Sequence, residues 1–567
     1  ANSQEFFENF EAKYGDRLPS FGGDMTPTWE DGAASTARET AMNRESAARI
    51  ARAGILHAMY GSADDFSAER YNEAWKNTIL FSEHTWGASA SGSDPYSKFT
   101  LDLWAGKKMY ADSAHIQSTR LAREALPASN SGNYIHVANT TSWDRTDIVE
   151  MEGSFDSDRF ALVDGAGNTV TTQNLSTGKW IFKAENVPAL SSSVYSIVPL
   201  KKAPKGAGKT EPGMTAENHT LDNGIVKVEI NPELGTISSL KYRGEDFEYV
   251  SGKGLNDYLY TERIGANPQG IGATRSAGIC DNGPLAVTAR IVSDAPGCDS
   301  LTRYITLYKG LDRVDIVNSI DKKDIISWEN VRFVFPFNFP HPEVTMDLPM
   351  SEIHPEREQL SGVNKHYYSV QNGLSVGDLE HGICLTTLDA PFVEMGTPSG
   401  EDYRLNPRYG YGWWRSAQIS PVIYSWVMTN TWRTNYKASQ GGNATFRYSL
   451  LPGNPHDLCL KQHGQEREHP LTAFRSGSPD AAPQLFRLSG NHKIAVTGIT
   501  PSADGKGYIL RLHNMDKEVA RTAVEWGAIS AKAMNRCDWT ETPGLQVNPE
   551  ALWMQPFEYA TFKITTK

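Results

Sequence analysis

At Pro127 the chain changes its period, and that change decides what it can fold into. Upstream, residues 35–60 are rich in Ala, Arg, Glu and Met, with no proline and the single glycine Gly54, which suits a long helix. In residues 65–81, Tyr71, Trp75 and Ile79 recur at i, i+4 and i+8. That spacing predicts one apolar stripe on a second helix, with Gly87 as its stop. The run "KFTLDLWAGKKMYADSAHIQSTRLAREAL" (98–126) predicts a third, and long helices joined by short polar loops make a bundle. Downstream, "YIHVANTTSWDRTDIVEME", "RFALVDGAGNTVTTQ" and "SVYSIVPL" alternate as strands around Asp-Gly and Ala-Gly turns. The basic, Gly/Pro-rich "KKAPKGAGKTEPG" (201–213) reads as a linker. Beyond it, strand-like segments run to Lys567 without a convincing amphipathic helix.

The expected fold class is therefore α+β and multidomain, a three-helix bundle followed by β-sandwich domains. The bundle takes 33–128, a small β domain 129–205 and a large β-sandwich 214–567, with room for a small terminal sandwich from about 485.

Charge removes two classes of partner. The net charge is −12, and no Lys/Arg cluster is dense enough to neutralise a phosphate backbone, which argues against nucleic acid and anionic membrane. The longest apolar run, 421–428, is far short of a ~20-residue membrane span. Five scattered cysteines contain no C-x-x-C pair, so a cysteine zinc cluster is not expected. Cys280 and Cys298 could bridge in an oxidising compartment, though buried free thiols are the simpler expectation. Asn139, Asn174, Asn218 and Asn443 head N-x-S/T sequons. The chain opens Ala-Asn-Ser, as expected of something processed or cut from a longer protein.

Motifs alone give no complete active site. None of the histidines lies in H-x-x-H, H-E-x-x-H or H-x-D, and neither a G-x-S-x-G elbow nor a phosphate-cradling glycine loop is present. No spacing singles out the carboxylate pair that a glycosidase needs. Trp29, Trp86, Trp413 and Trp414 stand beside polar or glycine residues, where an exposed indole suits the apolar face of a sugar and a buried one fills a core. His84, in "LFSEHTWGAS" (80–89), sits at a helix end as either a metal ligand or a capping histidine.

"GDMTPTWEDGAASTARETAMNRESA", followed by "NEAWKNTILFSEHTWGA", resembles the late-barrel and bundle region of glycoside hydrolase family 38, the α-mannosidases. "HVANTTSWDRTDIVE", "VPALSSSVYSIV", "VRFVFPFNF", "LTTLDAPFVEMG" and "SWVMTNTWRTNYKASQGGNATFRYSL" resemble its β domains. The resemblance implies that residues 1–32 are the tail of an α/β barrel and that the large sandwich is a galactose-mutarotase-like super-sandwich. It implies retaining hydrolysis of α-mannosides with one zinc ion, calcium being the alternative. That metal is held by an H-x-D pair and an Asp from the barrel and by one bundle histidine, whose position His84 matches. Thr85 stands where the family often has an Asp that contacts substrate hydroxyls, and Trp29 matches an aromatic packed against the sugar. The nucleophile and the acid/base carboxylate belong to the barrel, so no catalytic residue is expected here and the chain alone should be inactive. The implied partners are an α-mannoside or mannose-containing glycan and the barrel as a separate portion, in a periplasmic or secreted setting. Two other readings stay open: a non-catalytic carbohydrate-binding or scaffold protein, and a lyase or epimerase with its site in the sandwich concavity. On the family reading, His84 and Trp29 share an outward face of the bundle beside an exposed apolar patch.

Overall fold

The computed structural model describes residues 2–20, 30–62, 65–86, 89–127, 131–200, 214–262, 266–399, 414, 416–431, 434–490 and 493–566. Trp29, Gly87, Trp413 and the 201–213 linker lie outside them.

The helices are α1 (Ser3–Tyr14), α2 (Ala37–Tyr60), α3 (Ala68–Phe81), α4 (Ala90–Ser93), α5 (Lys98–Glu124) and α6 (Leu460–Glu468). Ser67 and Ser97 cap α3 and α5, accepting from the backbone N–H groups of Arg70 and Thr100. Helices α2, α3 and α5 pack together as the expected bundle. The stripe on α3 is corrected. Tyr71, Ala74, Thr78 and Phe81 form its buried face, while Trp75 and Ile79 are 38% and 66% exposed. Spacing alone groups residues four apart; α5 meets the side of α3 on which short residues allow close approach. Gly87 does not stop the helix either: α3 ends at Phe81, with Ser82 donating its backbone N–H to the Thr78 carbonyl.

All strand pairings among the described residues are antiparallel. The small β unit stacks a five-stranded sheet on a three-stranded one around Trp180, Phe182 and Val149. Its edge strand, Thr472–Ser476, comes from far down the chain and pairs with Tyr134–Asn139. Asn139, the first sequon residue, is fully buried here and donates to the Trp143 and Val187 carbonyls, so no glycan can reach it.

Sheets of four, five and nine strands share one large core, the super-sandwich. Cys298–Tyr308 and Val314–Lys322 alternate buried and more exposed residues, as half-covered strands do. Asn330–Pro336 is buried on both faces, hence the continuous "VRFVFP". A terminal sandwich of three- and five-stranded sheets follows from Phe486. Its core takes in Ile55, Leu56 and Met59 of α2, at about 1.5–3 kcal/mol for each large side chain buried. Gly54 explains itself there, since a Cβ would lie 2.8 Å from Thr500 Cγ2. Helix α2 is thus the spine that joins bundle and terminal sandwich.

Helix α6 was not legible in the sequence. Its "LKQHGQERE" buries Leu460 together with Lys461, His463 and Gly464, so polar contacts hold it in place of an apolar stripe. The five cysteines are free thiols; Cys280 and Cys298 are not bridged.

Candidate functional site

His84 lies three residues beyond α3, in a bend whose position is fixed from α5. Lys107, buried on α5, donates to the Leu80 carbonyl (3.0 Å), the Glu83 carbonyl (2.8 Å) and Glu83 Oε2 (2.9 Å). Glu83 in turn meets His84 Nδ1 at 3.1 Å and accepts from the Thr85 hydroxyl and backbone N–H. Partial burial works to raise the Glu83 carboxyl, but the bonds from Lys107 and Thr85 outweigh it and hold the group below its usual range. The carboxylate thus lies beside one ring nitrogen of the imidazole, as carboxylates beside metal-binding histidines often do. The ring itself is half exposed. Thr85 is bound to Glu83, which uses its hydroxyl proton and leaves the oxygen as an acceptor.

Trp86 is buried, so of the two roles open to it in the sequence it takes that of a core filler and not of a sugar plate. It meets Phe81 edge-on at 5.9 Å, donates its backbone N–H to the Asn435 carbonyl at 2.6 Å, and has the Lys437 ammonium over its ring. Tyr436 joins the same cluster and lies flat against Gly32, where a Cβ would sit 2.0 Å from the ring's Cζ. Gly32→Ala should therefore destabilise by about 1–3 kcal/mol, read as a lowered denaturation midpoint with altered Trp86 fluorescence.

The segment Glu30–Thr36 packs on the super-sandwich strand Val422–Thr429, with Asp31 buried against the Tyr367 hydroxyl at 3.4 Å. Gln440 locks the other end, donating to the Ala34 carbonyl and accepting from the Ala37 N–H. Behind lies a buried polar layer. Arg332 grips Glu394 through two bonds of 2.5 and 3.1 Å and stacks on Trp426 at 5.1 Å. Ser399 donates its backbone N–H to Glu394, and His366 stacks against Trp414 at 4.2 Å.

The loop after α3, the segment leading into α2 and the 435–440 stretch thus form one continuous wall. His84 and Thr85 stand on it; Trp29, one residue before its described start, lies outside the described residues. Among the described residues no three His, Cys, Asp or Glu side chains group to hold a metal. An imidazole such as that of His84 is a zinc donor by type, and a retained ion needs further ligands. Asp31, Gly32, Lys107 and Tyr436 were missed in the sequence, though "WEDG" and "TNYKASQ" stood among the recognisable stretches.

Searches for likeness agree with this geometry at the level of fold. An α-mannosidase from Enterococcus faecalis V583 superposes with a TM-score of 0.71 at 14% identity, over 99% of this chain and 72% of its own. A glycosyl hydrolase family 38 protein from Enterococcus faecalis gives 0.68 at 13% identity, over 98% and 73%. No protein-family model and no curated protein sequence matches. The chain shares the fold of these glycoside hydrolases across nearly all of its length.

Proposed function

We propose that this chain is the bundle-and-sandwich portion of a metal-dependent, retaining α-mannosidase. The observation that supports the reading is the fold likeness along this chain; beside it, His84, next to the Glu83 carboxylate, stands on the wall shared by bundle and super-sandwich. His84 would supply one zinc ligand, Trp29 a stacking surface and Thr85 an acceptor for a sugar hydroxyl. The remaining ligands and both catalytic carboxylates would come from an H-x-D-bearing barrel that these 567 residues do not contain. When bound, the metal grips sugar hydroxyls and favours the distorted ring. The chain's own groups orient the imidazole and cover the sugar's apolar face. A periplasmic or secreted setting suits a glycan substrate.

The test looks upstream in the gene for an H-x-D-bearing barrel, joins the chain to it and follows p-nitrophenyl α-mannoside by NMR. Turnover with retained anomeric configuration is expected, and none from the chain alone. An upstream frame without an H-x-D barrel would overturn the reading. In the joined protein Trp29→Ala should raise KM several-fold and leave the metal in place, because stacking supplies contact and no coordination.

A further inference from the structure

Where bundle, super-sandwich, α6 and terminal sandwich meet there is a cavity of about 330 Å3, within the ~300–1,000 Å3 of small-molecule sites. One wall is Ala47, Ala48 and Ala51 of α2, whose short side chains leave room for a flat ring. Trp75 and Tyr559 also line it, Tyr559 stacked on His513 at 3.9 Å and 19°.

The polar side sets this cavity apart. Asp347, Asn372, His469 and His513 line it. Each carries one buried polar atom (Asp347 Oδ2, Asn372 Oδ1, His469 Nδ1, His513 Nε2) without a hydrogen-bond partner among the described residues. Such atoms cost about 1–3 kcal/mol each when left so, and native structures keep few of them. Each of these atoms is itself buried, so a guest meets it only once the side chain turns toward the cavity; four side chains able to do so around one cavity suit a guest that offers several donors and acceptors together.

Charge narrows the guest further. Asp347 is answered by the buried Lys461, and Glu468 lies in the field of Arg44 and Arg52. Burial pushes His469 and His513 down to about 3, so both rings are neutral, with one donor and one acceptor nitrogen each. Both lining carboxylates are thus met by cations, Asp347 within the lining and Glu468 from behind it, which favours an uncharged guest. We propose that this cavity binds a small neutral polyol, a monosaccharide or sugar alcohol. Its hydroxyls exchange hydrogen bonds with Asp347, Asn372, His469 and His513 after small side-chain rotations, and its C–H face rests on the alanine wall. The site shares no residue with the His84 wall and stands whether or not the mannosidase reading does.

Calorimetry and saturation-transfer NMR on the 567-residue chain, with D-mannose, D-glucose and D-mannitol as separate probes, decide it. Saturable binding of at least one probe is expected, with one site per chain. Preference for the two hexoses would identify a ring sugar, and preference for mannitol an open chain. Ala48→Leu and Ala51→Leu fill the cavity, and His513→Phe keeps the stack on Tyr559 but removes both nitrogens. Each should weaken binding at least about tenfold while circular dichroism stays unchanged, and His84→Ala should leave it untouched. If one filler fails to fold, the other filler and His513→Phe decide. A cavity that holds only water gives no saturable binding with any probe. That result, or binding unchanged in the folded variants, or binding lost in His84→Ala, would overturn the proposal.

Discussion

Asp147→Ala is expected to remove about 3–5 kcal/mol of stability, the cost of stripping one partner from a buried ion cluster. Asp147 sits on the small β unit and takes Arg145 and Arg313 at 2.8 Å each, with Arg467 of α6 as a third guanidinium. Arg313 opens the super-sandwich strand Val314–Lys322, so one carboxylate ties three parts of the molecule. Without it, the three arginines share one remaining carboxylate, Asp315, which meets Arg313 at 3.1 Å and Arg467 at 3.7 Å. Burial would raise the Asp147 carboxyl, but Arg313, Arg467 and Arg145 overwhelm that and hold it far below the usual carboxylate range. Its contribution is therefore complete above the ordinary carboxylate pKa of about 3.9 and is lost progressively as pH falls from there toward the lower folded value. Denaturant titrations should show Asp147→Ala destabilised at pH 7 and the gap to wild type narrowing below about pH 4. An equal gap at both ends of the pH range would refute the ionic account.

Glu394→Ala is expected to cost a similar ~3–5 kcal/mol by removing the buried carboxylate that Arg332 grips through two hydrogen bonds. Both side chains have 0% exposure, and the pair bridges two strands across Trp426 on the strand between them. Glu394→Gln keeps a hydrogen-bond acceptor and should cost less, while Arg332→Met with Glu394→Leu should restore most of the loss. Chemical denaturation of the four proteins separates the two explanations. A double variant as unstable as Glu394→Ala would mean that packing against Trp426, and not charge, holds this layer.

The bundle and the large sandwich were legible because their signals are local. An unbroken run rich in helix formers marks α2, and period-two alternation marks strands such as Cys298–Tyr308. What could not be read depends on distant partners. Whether Trp75 or Ala74 faces inward on α3 is decided by α5, and α6 is held by contacts such as Lys461 with Asp347, 114 residues apart in sequence. The wall around His84 was half legible. Its flanking stretches stood out as sequence, but Lys107, which fixes Glu83 and through it the imidazole, belongs to another helix and carries no local mark. The flanking glycine and threonine left Trp86 open between an exposed plate and a core filler; Tyr436, from far along the chain, and Phe81 of α3 decide it by covering the ring.

On the proposed function, His84 would hold a metal for an α-mannoside-cleaving site. Zinc content and p-nitrophenyl α-mannoside turnover, measured together in the barrel-joined protein and its His84→Ala variant, test it most directly. The account predicts about one zinc per chain in the wild type and, in His84→Ala, sharp loss of metal with a matching loss of turnover, because three ligands remain where four were needed. Full zinc occupancy and wild-type turnover in His84→Ala would contradict it.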